Sequence, residues 1–327
     1  MRLDLIICTY NPDFEFLQRA VDGLKQQTLD SSEWGFLIVD NSSKTPIVSS
    51  FVDWHPNGKL VVETELGLTP ARICGIHNTN SELLVFVDDD NVLSPDYLEK
   101  VLEIATRNLN LGAFGAGKII PEFAAEPDDD CRPFVKSLAL RKQNSPLWSN
   151  NPEDRTNPWG AGLVVCRTVA EEFAEVMGND PLRKSLGRKG NSLNSAEDIE
   201  FSWIACRQGF GKGVFPELQM KHLIDKRRVD RGYLASLCEG HAFSHVLMNY
   251  LHHQETVDLA DQLNAKDGDR IRETPTIGLK QQAKYALAWL MAKAPGVKDR
   301  FSNVARLATY DGVRRAYRLI DDVERQK

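Results

Sequence analysis

The chain has 327 residues, of which 42% are hydrophobic and 26% are charged. This composition is typical of a globular protein, and the length suits one large α/β domain with an appendage, or two domains. The first apolar run covers five to six residues and contains an acidic residue. It is shorter than a signal peptide and far below the ~20 residues of a membrane span, so we expect a cytoplasmic protein. The six cysteines include no CxxC pair, which argues against a structural zinc site and a disulfide framework.

The net charge of −6 is unevenly distributed along the chain. Residues 279–327 contain eleven Lys or Arg against five Asp or Glu, so this end is basic and the remainder is acidic. A solvated helical surface is the ordinary explanation of such a run. The alternative is a peripheral contact with the anionic inner face of a membrane, at ~1 kcal/mol per basic residue. The segment "YALAWLMAKA" would then supply the apolar face. No nucleic-acid partner is expected.

Strand and helix patterns alternate at short spacing in the N-terminal half. Buried strands are predicted at "RLDLIICTY", "WGFLIVD", "KLVVETE" and "SELLVFV". A first helix is predicted to have Pro12 at its first position. A second is predicted to begin at Pro70 with Thr69 as its cap, and a third to run from Pro95 to about Arg107 with Ser94 as its cap. The alternation predicts an α/β fold with a doubly wound, mostly parallel sheet flanked by helices. Ligands of such sheets bind outside the carboxyl ends of the strands.

The second half of the chain has longer irregular stretches. Residues 123–157 are polar and Pro-rich, and we expect an insertion or mobile loop over the site. A late strand is predicted at "GAGLVVCRT", and a helix at "AEDIEFSWIACRQG" with Ile199, Trp203 and Cys206 facing inward. The segment "KGVFPELQMKHLI" is predicted to be a last extended segment. From Arg228 onward the chain is predicted to be largely helical.

Three aspartates, Asp88, Asp89 and Asp90, follow a run of apolar residues directly. Two carboxylates about 4 Å apart repel by roughly 4 kcal/mol at an effective dielectric constant near 20, so the cluster requires a compensating positive charge. The helix-cap role is assigned to Ser94. A calcium loop is excluded because Val92 and Leu93 stand where it requires an oxygen ligand and a glycine.

Two interpretations of the triple aspartate remain open: a solvated turn, or a divalent metal held by one or two carboxylates and completed by substrate phosphates. Side chains alternate along an extended segment, so Asp88 and Asp90 are expected to share a face. A second acidic run at residues 128–130 follows no apolar strand, and we expect no role for it in this site.

The order of "CTYNP", "VDNSS", "ELGLTPARICGIHNT", "FVDDD", "GAGLVV" and "AEDIEF" resembles the family 2 glycosyltransferases of the GT-A fold, over roughly residues 3–225. No single motif is specific for this family. Six motifs in this order and at fitting spacings are specific for it. The resemblance implies a nucleotide-sugar-binding catalytic domain at residues 1–226. Residues 227–327 would form a helical C-terminal extension that is basic at its end.

The resemblance also implies a nucleotide site. Thr9, Tyr10 and Asn11 would line the base pocket, and Asp40 would accept from the base imide, a contact suited to uracil. Arg72 would lie beside the base and diphosphate, and its predicted place in a first helical turn agrees with anion binding at helix starts.

The same family pattern implies which residues hold the metal ion and which approach the sugar. Asp88 would approach the ribose or the sugar, and Asp90 would hold Mn²⁺ or Mg²⁺ that bridges the diphosphate. His222 is either a third metal ligand or a structural histidine, since neutral imidazole is an acceptable ligand for manganese.

The "AEDIEF" motif resembles the family's source of the general base. Asp198 would take the proton from an acceptor hydroxyl, and Glu197 would help to position the acceptor. Taken alone, the motif is equally consistent with an acidic first helical turn. Gly160 and Gly162 match a small-residue turn below the sugar, and Trp159 would either stack on a sugar ring or pack in the core.

These residues predict an inverting, metal-dependent glycosyltransferase. It would move a sugar from a nucleoside diphosphate sugar, a UDP-sugar by preference, to a hydroxyl of a saccharide or lipid-linked acceptor in surface polysaccharide or glycoconjugate synthesis. A nucleotidyltransferase that makes the sugar nucleotide is the first alternative, although the Gly-rich signature usual near its first strand is missing. A non-catalytic nucleotide-sugar binder is the second. A dinucleotide-dependent oxidoreductase is disfavoured because no GxGxxG follows the first strand.

Overall fold

A computed structural model describes residues 2–263 and 301–326. Within these residues a single ten-stranded sheet has the order β3-β2-β1-β4-β9-β6-β10-β5, with β7 paired to β6 and β8 paired to β10. The strands are β1 (Leu3–Thr9), β2 (Trp34–Asp40), β3 (Gly58–Val62), β4 (Leu83–Val87), β5 (Asn91–Leu93), β6 (Leu111–Phe123), β7 (Arg141–Lys142), β8 (Leu147–Ser149), β9 (Leu163–Cys166) and β10 (Gly211–Ile224).

Helices cover both faces of this sheet and continue beyond it. They are α1 (Phe14–Lys25), α2 (Leu68–His77), α3 (Tyr97–Arg107), α4 (Arg167–Asn179), α5 (Pro181–Lys184), α6 (Glu197–Arg207), α7 (Arg231–Leu263) and α8 (Phe301–Glu324). The central strands β1 and β4 are buried along nearly their whole length, as expected for parallel strands covered on both faces.

Most of the paired residues lie in parallel ladders, since the antiparallel pairs are short. Strands β3, β2, β1 and β4 run in parallel, and so do the long strands β6 and β10. Strand β9 lies antiparallel between β4 and β6, and the short β5 is antiparallel to β10. The predicted α/β fold with a mostly parallel, helix-flanked sheet is confirmed.

Two apolar clusters sandwich the sheet. Helices α1 and α3 bury residues such as Leu17, Val21 and Val101 on one face. Helices α2, α4 and α6 cover the other face, where the rings of Phe173 and Phe201 stack at a centroid distance of 3.7 Å. The carboxyl ends of β1 and β4 therefore open at one edge of a rigid three-layer body.

The C-terminal helices α7 and α8 pack against each other and share apolar clusters with the preceding residues. Leu186 and Ala196 pack with Leu247 of α7, and Leu138 packs with Leu237. The division at residues 226 and 227 stays a prediction, and the segment "YALAWLMAKA" lies outside the described residues. Within the described ranges, no helix is both long and apolar enough to pass through a bilayer.

The first two helices begin at other residues than predicted. Asp13 caps α1 by accepting from two backbone N–H groups, so Pro12 precedes the cap. Helix α2 begins one residue before Thr69 and is capped by Gly67, whose φ of 136° lies in the left-handed region that favours glycine. Arg72 is therefore the fifth residue of α2 and lies just beyond its first turn.

Ser94 does not cap α3, contrary to the prediction. The helix begins at Tyr97 after Asp96, and the hydroxyl of Ser94 is buried without a hydrogen-bond partner in the described residues. The reason is that Ser94 extends the β5 ladder, where its backbone N–H donates to the carbonyl of Gln219 at 3.0 Å. Strand β5 is absent from the elements predicted above, and its pairing partner β10 is distant in the chain.

Helix α6 is buried on two sides, whereas one inward stripe was predicted. Phe201 and Ile204 pack on the sheet, while Ile199 and Trp203, which were expected to face inward, are half-buried against the α7–α8 side. Cys206 is also only half-buried. The helix lies between the sheet and the C-terminal helices, so both of its faces contact apolar residues.

Candidate active site

A cleft of about 610 Å³ opens at the carboxyl ends of β1 and β4. It brings together many of the predicted residues that are far apart in the chain, namely Thr9, Tyr10, Arg72, Asp88, Asp90, Trp159, Gly160, Glu197, Asp198 and His222. Asn11, Asp40 and Gly162 are not among its lining residues. The cleft also contains residues that sequence analysis did not select, among them Asp89, Arg188, Arg228 and His241.

All three aspartates after β4 line this cleft. The chain turns here, since the backbone N–H of Asn91 donates to the carbonyl of Asp88 at 3.1 Å. The alternation predicted for an extended segment therefore does not apply, and Asp89 joins its neighbours in the cleft. The hydroxyl of Thr9 donates a hydrogen bond to the carboxylate of Asp89.

The pKa values of the three carboxylates are shifted in different directions. Burial, together with the negative charge of Asp90, raises the pKa of Asp88 and raises the pKa of Asp89 to about 7. Burial also acts on Asp90, but His222 and Arg228 outweigh it and hold the pKa of Asp90 well below its ordinary value. Of the three carboxylates, Asp90 is therefore the one whose ionised form is favoured by its surroundings.

Asp90 and His222 face a common point beside Arg228. A guanidinium nitrogen (Nη1) of Arg228 donates to Asp90 Oδ2 and lies 3.1 Å from His222 Nε2, and His222 Nε2 is 3.4 Å from Asp90 Oδ2. A guanidinium has only donors, so it is in the Nδ1-protonated tautomer of His222 that the Nε2 lone pair accepts from Arg228 at this point. A carboxylate oxygen and an imidazole lone pair that converge on a cation fit a divalent ion such as Mn²⁺.

A second group of ligand-type atoms lies outside the cleft lining. The carboxylates of Asp128 and Asp130 and the thiol of Cys131 lie within 4.8 Å of one another. Asp130 already accepts a hydrogen bond from Arg231 and another from the backbone N–H of Phe301 at 3.1 Å. These bonds tie the acidic run to the start of α7 and the start of α8.

The two acidic residues at the start of α6 have different partners. Glu197 Oε1 lies 3.1 Å from Arg72 Nη1, and both side chains are buried. Burial raises the pKa of Glu197 to about 7, aided by Asp198 and opposed by Arg72. The carboxylate of Asp198 accepts from the backbone N–H of Gly160 at 2.7 Å through Oδ2. That bond fixes the orientation of the carboxylate at the cleft wall.

The turn that carries Trp159, Gly160 and Gly162 supports the site from below. A Cβ atom at Gly160 would lie 2.3 Å from Arg72 Nη2, so the glycine makes room for the buried arginine. Gly162 has φ of 69°, and its added Cβ would lie 2.4 Å from the hydroxyl of Tyr97. The atoms that these two glycines accommodate therefore belong to the protein itself.

Trp159 lines the cleft with one face already covered. The guanidinium of Arg141 lies 3.8 Å from the centre of its ring, a cation–π contact, and donates to the carbonyl of Asn157 at 2.8 Å. Burial lowers the pKa of Arg141 to about 10, opposed by Asp198. Arg141 belongs to the irregular segment 123–157, and residues 136–139 of the same segment line the cleft.

Asp40 and Asn11 shape the loop beside the cleft. Asp40 accepts from the backbone N–H groups of Ser43 at 2.9 Å and Ile47 at 3.2 Å. Asn11 has φ of 49°, and its side chain accepts from the N–H of Lys44 at 2.8 Å. Their assignment to a nucleotide base stays a prediction.

The wall opposite the aspartates comes from the loop before α6 and from α7. Arg188 accepts through its carbonyl from the N–H of Leu68 at 2.9 Å, which links this loop to the start of α2. Its charge favours the ionised forms of Asp88 and Glu197. Burial, together with Arg188, lowers the pKa of His241 on α7. Nothing in the spacing of these basic residues distinguishes them from solvated ones, so sequence analysis missed them.

Comparisons with known proteins identify similar sequences and a similar fold. The sequence model of Glycosyl transferase family 2 matches residues 4–127. A glucosyl-dolichyl phosphate glucuronosyltransferase of Haloferax volcanii is 21% identical over 295 residues, covering 86% of this chain and 90% of that protein. The Bacillus subtilis protein EpsH, named as a glycosyltransferase, is 25% identical over 147 residues, which span 44% of this chain and 40% of EpsH.

Among solved structures, a mannosyltransferase of Pyrobaculum calidifontis in complex with GDP-Man and Mn²⁺ superimposes with a TM-score of 0.55. The two chains are 17% identical, and the match covers 95% of this chain and 86% of that one. This likeness concerns the fold. The chain therefore has the GT-A fold, and its residues 4–127 are similar in sequence to glycosyl transferase family 2.

Proposed function

We propose that the chain is an inverting glycosyltransferase that moves a sugar from a nucleoside diphosphate sugar to an acceptor hydroxyl. The observation that supports this most strongly is a shared cleft. The aspartate cluster after β4, the buried Arg72, and Glu197 with Asp198 at the start of α6 all line one cavity at the carboxyl ends of the strands. That edge is where open α/β sheets bind their ligands.

Asp198 is the general base in this mechanism. Its Oδ2 is held by the N–H of Gly160, so Oδ1 remains to accept the proton of an acceptor hydroxyl. The acceptor oxygen forms a bond to the anomeric carbon while the bond from that carbon to the diphosphate oxygen breaks. The electron pair leaves with the nucleoside diphosphate, and attack from the opposite face inverts the configuration.

The leaving diphosphate requires positive charge. Arg72 and Arg188 line the same cleft as the aspartates, and Arg72 is fixed by its ion pair with Glu197. Asp90 and His222 would hold Mn²⁺ or Mg²⁺. When bound, such an ion supplies Lewis-acid stabilisation of the charge that develops on the diphosphate.

The finer identity of the substrates rests on the family pattern and one relative. Thr9 and Tyr10 line the cleft and would face the base. Asp40 and Asn11 would order the adjacent loop. The proposed donor is a UDP-sugar. The Haloferax relative is named for a dolichyl phosphate substrate and matches over most of the chain, which supports a lipid-linked acceptor, with a saccharide as the alternative. Such an acceptor would place the chain at the inner face of a membrane in glycoconjugate synthesis.

Replacement of the base tests this function. We expect Asp198→Asn to bind a UDP-sugar and Mn²⁺ as the wild type does, because the amide keeps the shape and an oxygen for the Gly160 N–H. Transfer should fall by roughly 10²–10⁴-fold, the usual contribution of a general base. UDP release would be measured with a panel of nucleotide sugars chosen by thermal shift.

Asp22→Asn is the matched control, because Asp22 is an exposed aspartate on α1 that pairs with Lys25. It should leave both binding and transfer unchanged. Unchanged turnover in Asp198→Asn would remove the base assignment. If the wild type bound a nucleotide sugar but released no UDP with any acceptor fraction, the chain would be a binding protein.

A further inference from the structure

Arg228 contacts both of the side chains that are proposed to hold the metal ion. One of its nitrogens contacts both Asp90 Oδ2 and His222 Nε2, at 3.1 Å from the histidine. Both of these atoms are the ones that a divalent cation at this point would need. A guanidinium nitrogen and a divalent cation cannot both occupy the position between these two atoms, so one must leave when the other binds.

The two proposed ligands are held by the sheet, whereas Arg228 is not. The backbone N–H of Leu223 donates to the carbonyl of Asp90 at 2.8 Å, and His222 is in register with Asn91 in the β5–β10 ladder. Arg228 belongs to the short 3₁₀ turn Lys226–Val229, which follows β10. When a cation competes for this point, the arginine is therefore the partner that moves.

The contacts of Arg228 are also incomplete. Its Nε is buried and has no hydrogen-bond partner in the described residues, although the side chain lines the cleft. A buried unpaired N–H of a charged group is costly. A guanidinium pairs well with phosphate oxygens, to which it can donate two parallel hydrogen bonds. A diphosphate in the cleft would satisfy the nitrogen that the donor-free protein leaves unpaired.

We propose that Arg228 is a built-in counter-cation of the Asp90–His222 pair in the donor-free protein, and that it transfers to the donor diphosphate when a divalent cation binds. This inference rests on the proposed function, since it presumes a diphosphate ligand. Arg228 is then both a competitor of the metal and a binding residue for the donor. As a consequence, the donor strengthens metal binding, because it offers Arg228 a new partner.

The decisive measurement is Mn²⁺ binding without donor, followed by the loss of the electron paramagnetic resonance signal of free Mn²⁺. Arg228→Gln should bind Mn²⁺ about tenfold more tightly than the wild type, which corresponds to about 1.4 kcal/mol. Arg227→Gln is the matched control, because Arg227 is the neighbouring arginine, mostly exposed, with an ion pair to Asp225. Its Mn²⁺ affinity should equal that of the wild type. Asp90→Asn should abolish the binding in every background.

A second measurement separates competition by contact from a general charge effect. In Arg228→Ala, low and non-denaturing concentrations of guanidinium chloride should weaken Mn²⁺ binding, because free guanidinium can refill the vacated position. Sodium chloride at the same ionic strength should have less effect, and neither salt should distinguish Arg227→Ala from the wild type.

With saturating Mn²⁺, UDP should bind Arg228→Gln about tenfold more weakly than the wild type.

Equal or weaker Mn²⁺ affinity in Arg228→Gln would overturn the proposal, and so would the absence of Mn²⁺ binding in both proteins. Either result leaves the glycosyltransferase assignment standing if the wild type still releases UDP from a nucleotide sugar. Conversely, tighter Mn²⁺ binding by Arg228→Gln in a protein without transfer activity would support the counter-cation role alone. The two failures are therefore distinguishable.

Discussion

Gly162 links the turn that carries Gly160 to the core, and both its backbone conformation and the space around it are restricted. Its φ of 69° lies in the left-handed region, and its carbonyl accepts from the hydroxyl of Tyr97 at 2.7 Å. Tyr97 is fully buried, and burial raises the pKa of its hydroxyl. This bond links the start of α3 to the turn that also positions the N–H of Gly160 for Asp198.

Gly162→Ala should lower the free energy of unfolding by about 2–5 kcal/mol. The left-handed conformation costs a non-glycine residue about 1–2 kcal/mol, and overpacking against Tyr97 adds about 1–3 kcal/mol. Urea unfolding measures the change. Gly209→Ala is the control, since Gly209 has φ of 85° but no heavy atom within 4 Å of an added Cβ. Gly209→Ala should show only the cost of the left-handed backbone conformation. An equal loss of unfolding free energy in both variants would contradict the proposed clash with Tyr97.

At the scale of elements, α6 connects the edge of the sheet where the cleft opens to the C-terminal helices. Glu200 is buried in this helix, with Oε1 at 2.7 Å from Nε2 of His252 on α7 and Oε2 paired with Arg183 on α5. The ring of His252 lies 3.6 Å from that of Trp203. Although burial opposes it, these partners lower the pKa of Glu200. The helix that carries Asp198 is therefore fastened by ionic contacts at its far side.

Glu200→Gln should lower the free energy of unfolding by about 3 kcal/mol, because it removes the buried negative charge that pairs with the buried guanidinium of Arg183. Chemical denaturation would measure this loss. The control is Glu172→Gln, whose carboxylate pairs with Arg207 of α6 at 2.8 Å, with both side chains about one-third exposed. That change should cost less than about 1 kcal/mol. A comparable loss at both sites would show that burial of the Glu200 pair does not matter.

At the scale of the whole molecule, the acidic cleft makes global stability depend on pH. Burial raises the pKa of Asp88, Asp89 and Glu197, the last two to about 7. The folded chain therefore binds protons more tightly than the unfolded chain at these sites. Their contribution is fully favourable below the unfolded pKa values and is lost as pH rises through the folded ones.

Glu197→Gln isolates one of these contributions. The free energy of unfolding of the wild type should fall relative to Glu197→Gln as pH rises from about 4.5 to about 7, and the difference should be constant above that range. The expected size is on the order of 1–3 kcal/mol. The measurement is denaturant unfolding of both proteins at several pH values. Parallel curves for the two proteins would show that Glu197 titrates normally in the folded state.

Sequence patterns predicted the fold and much of the cleft because both depend on local signals. Runs such as those of β1 and β4 are apolar throughout, and polar residues stand where each run ends, so the position of Thr9 and Asp88 at one edge follows from parallel pairing. The cap assignments to Thr69 and Ser94 were wrong. In the latter case a distant strand, β10, takes the backbone that a local rule assigned to the helix start.

The sequence by itself determined the α/β class, the strand ends that carry the acidic residues, and the similarity of residues 4–127 to a known family. Only the tertiary structure decided how the charges are paired. Arg228 lies 138 residues from Asp90 in the chain, yet its guanidinium pairs with the carboxylate of Asp90, and Arg188, which is also distant in the chain, favours the ionised form of Asp88. The physical reason is that hydrophobic periodicity is a local property, whereas an ion pair between distant residues depends on how whole elements pack.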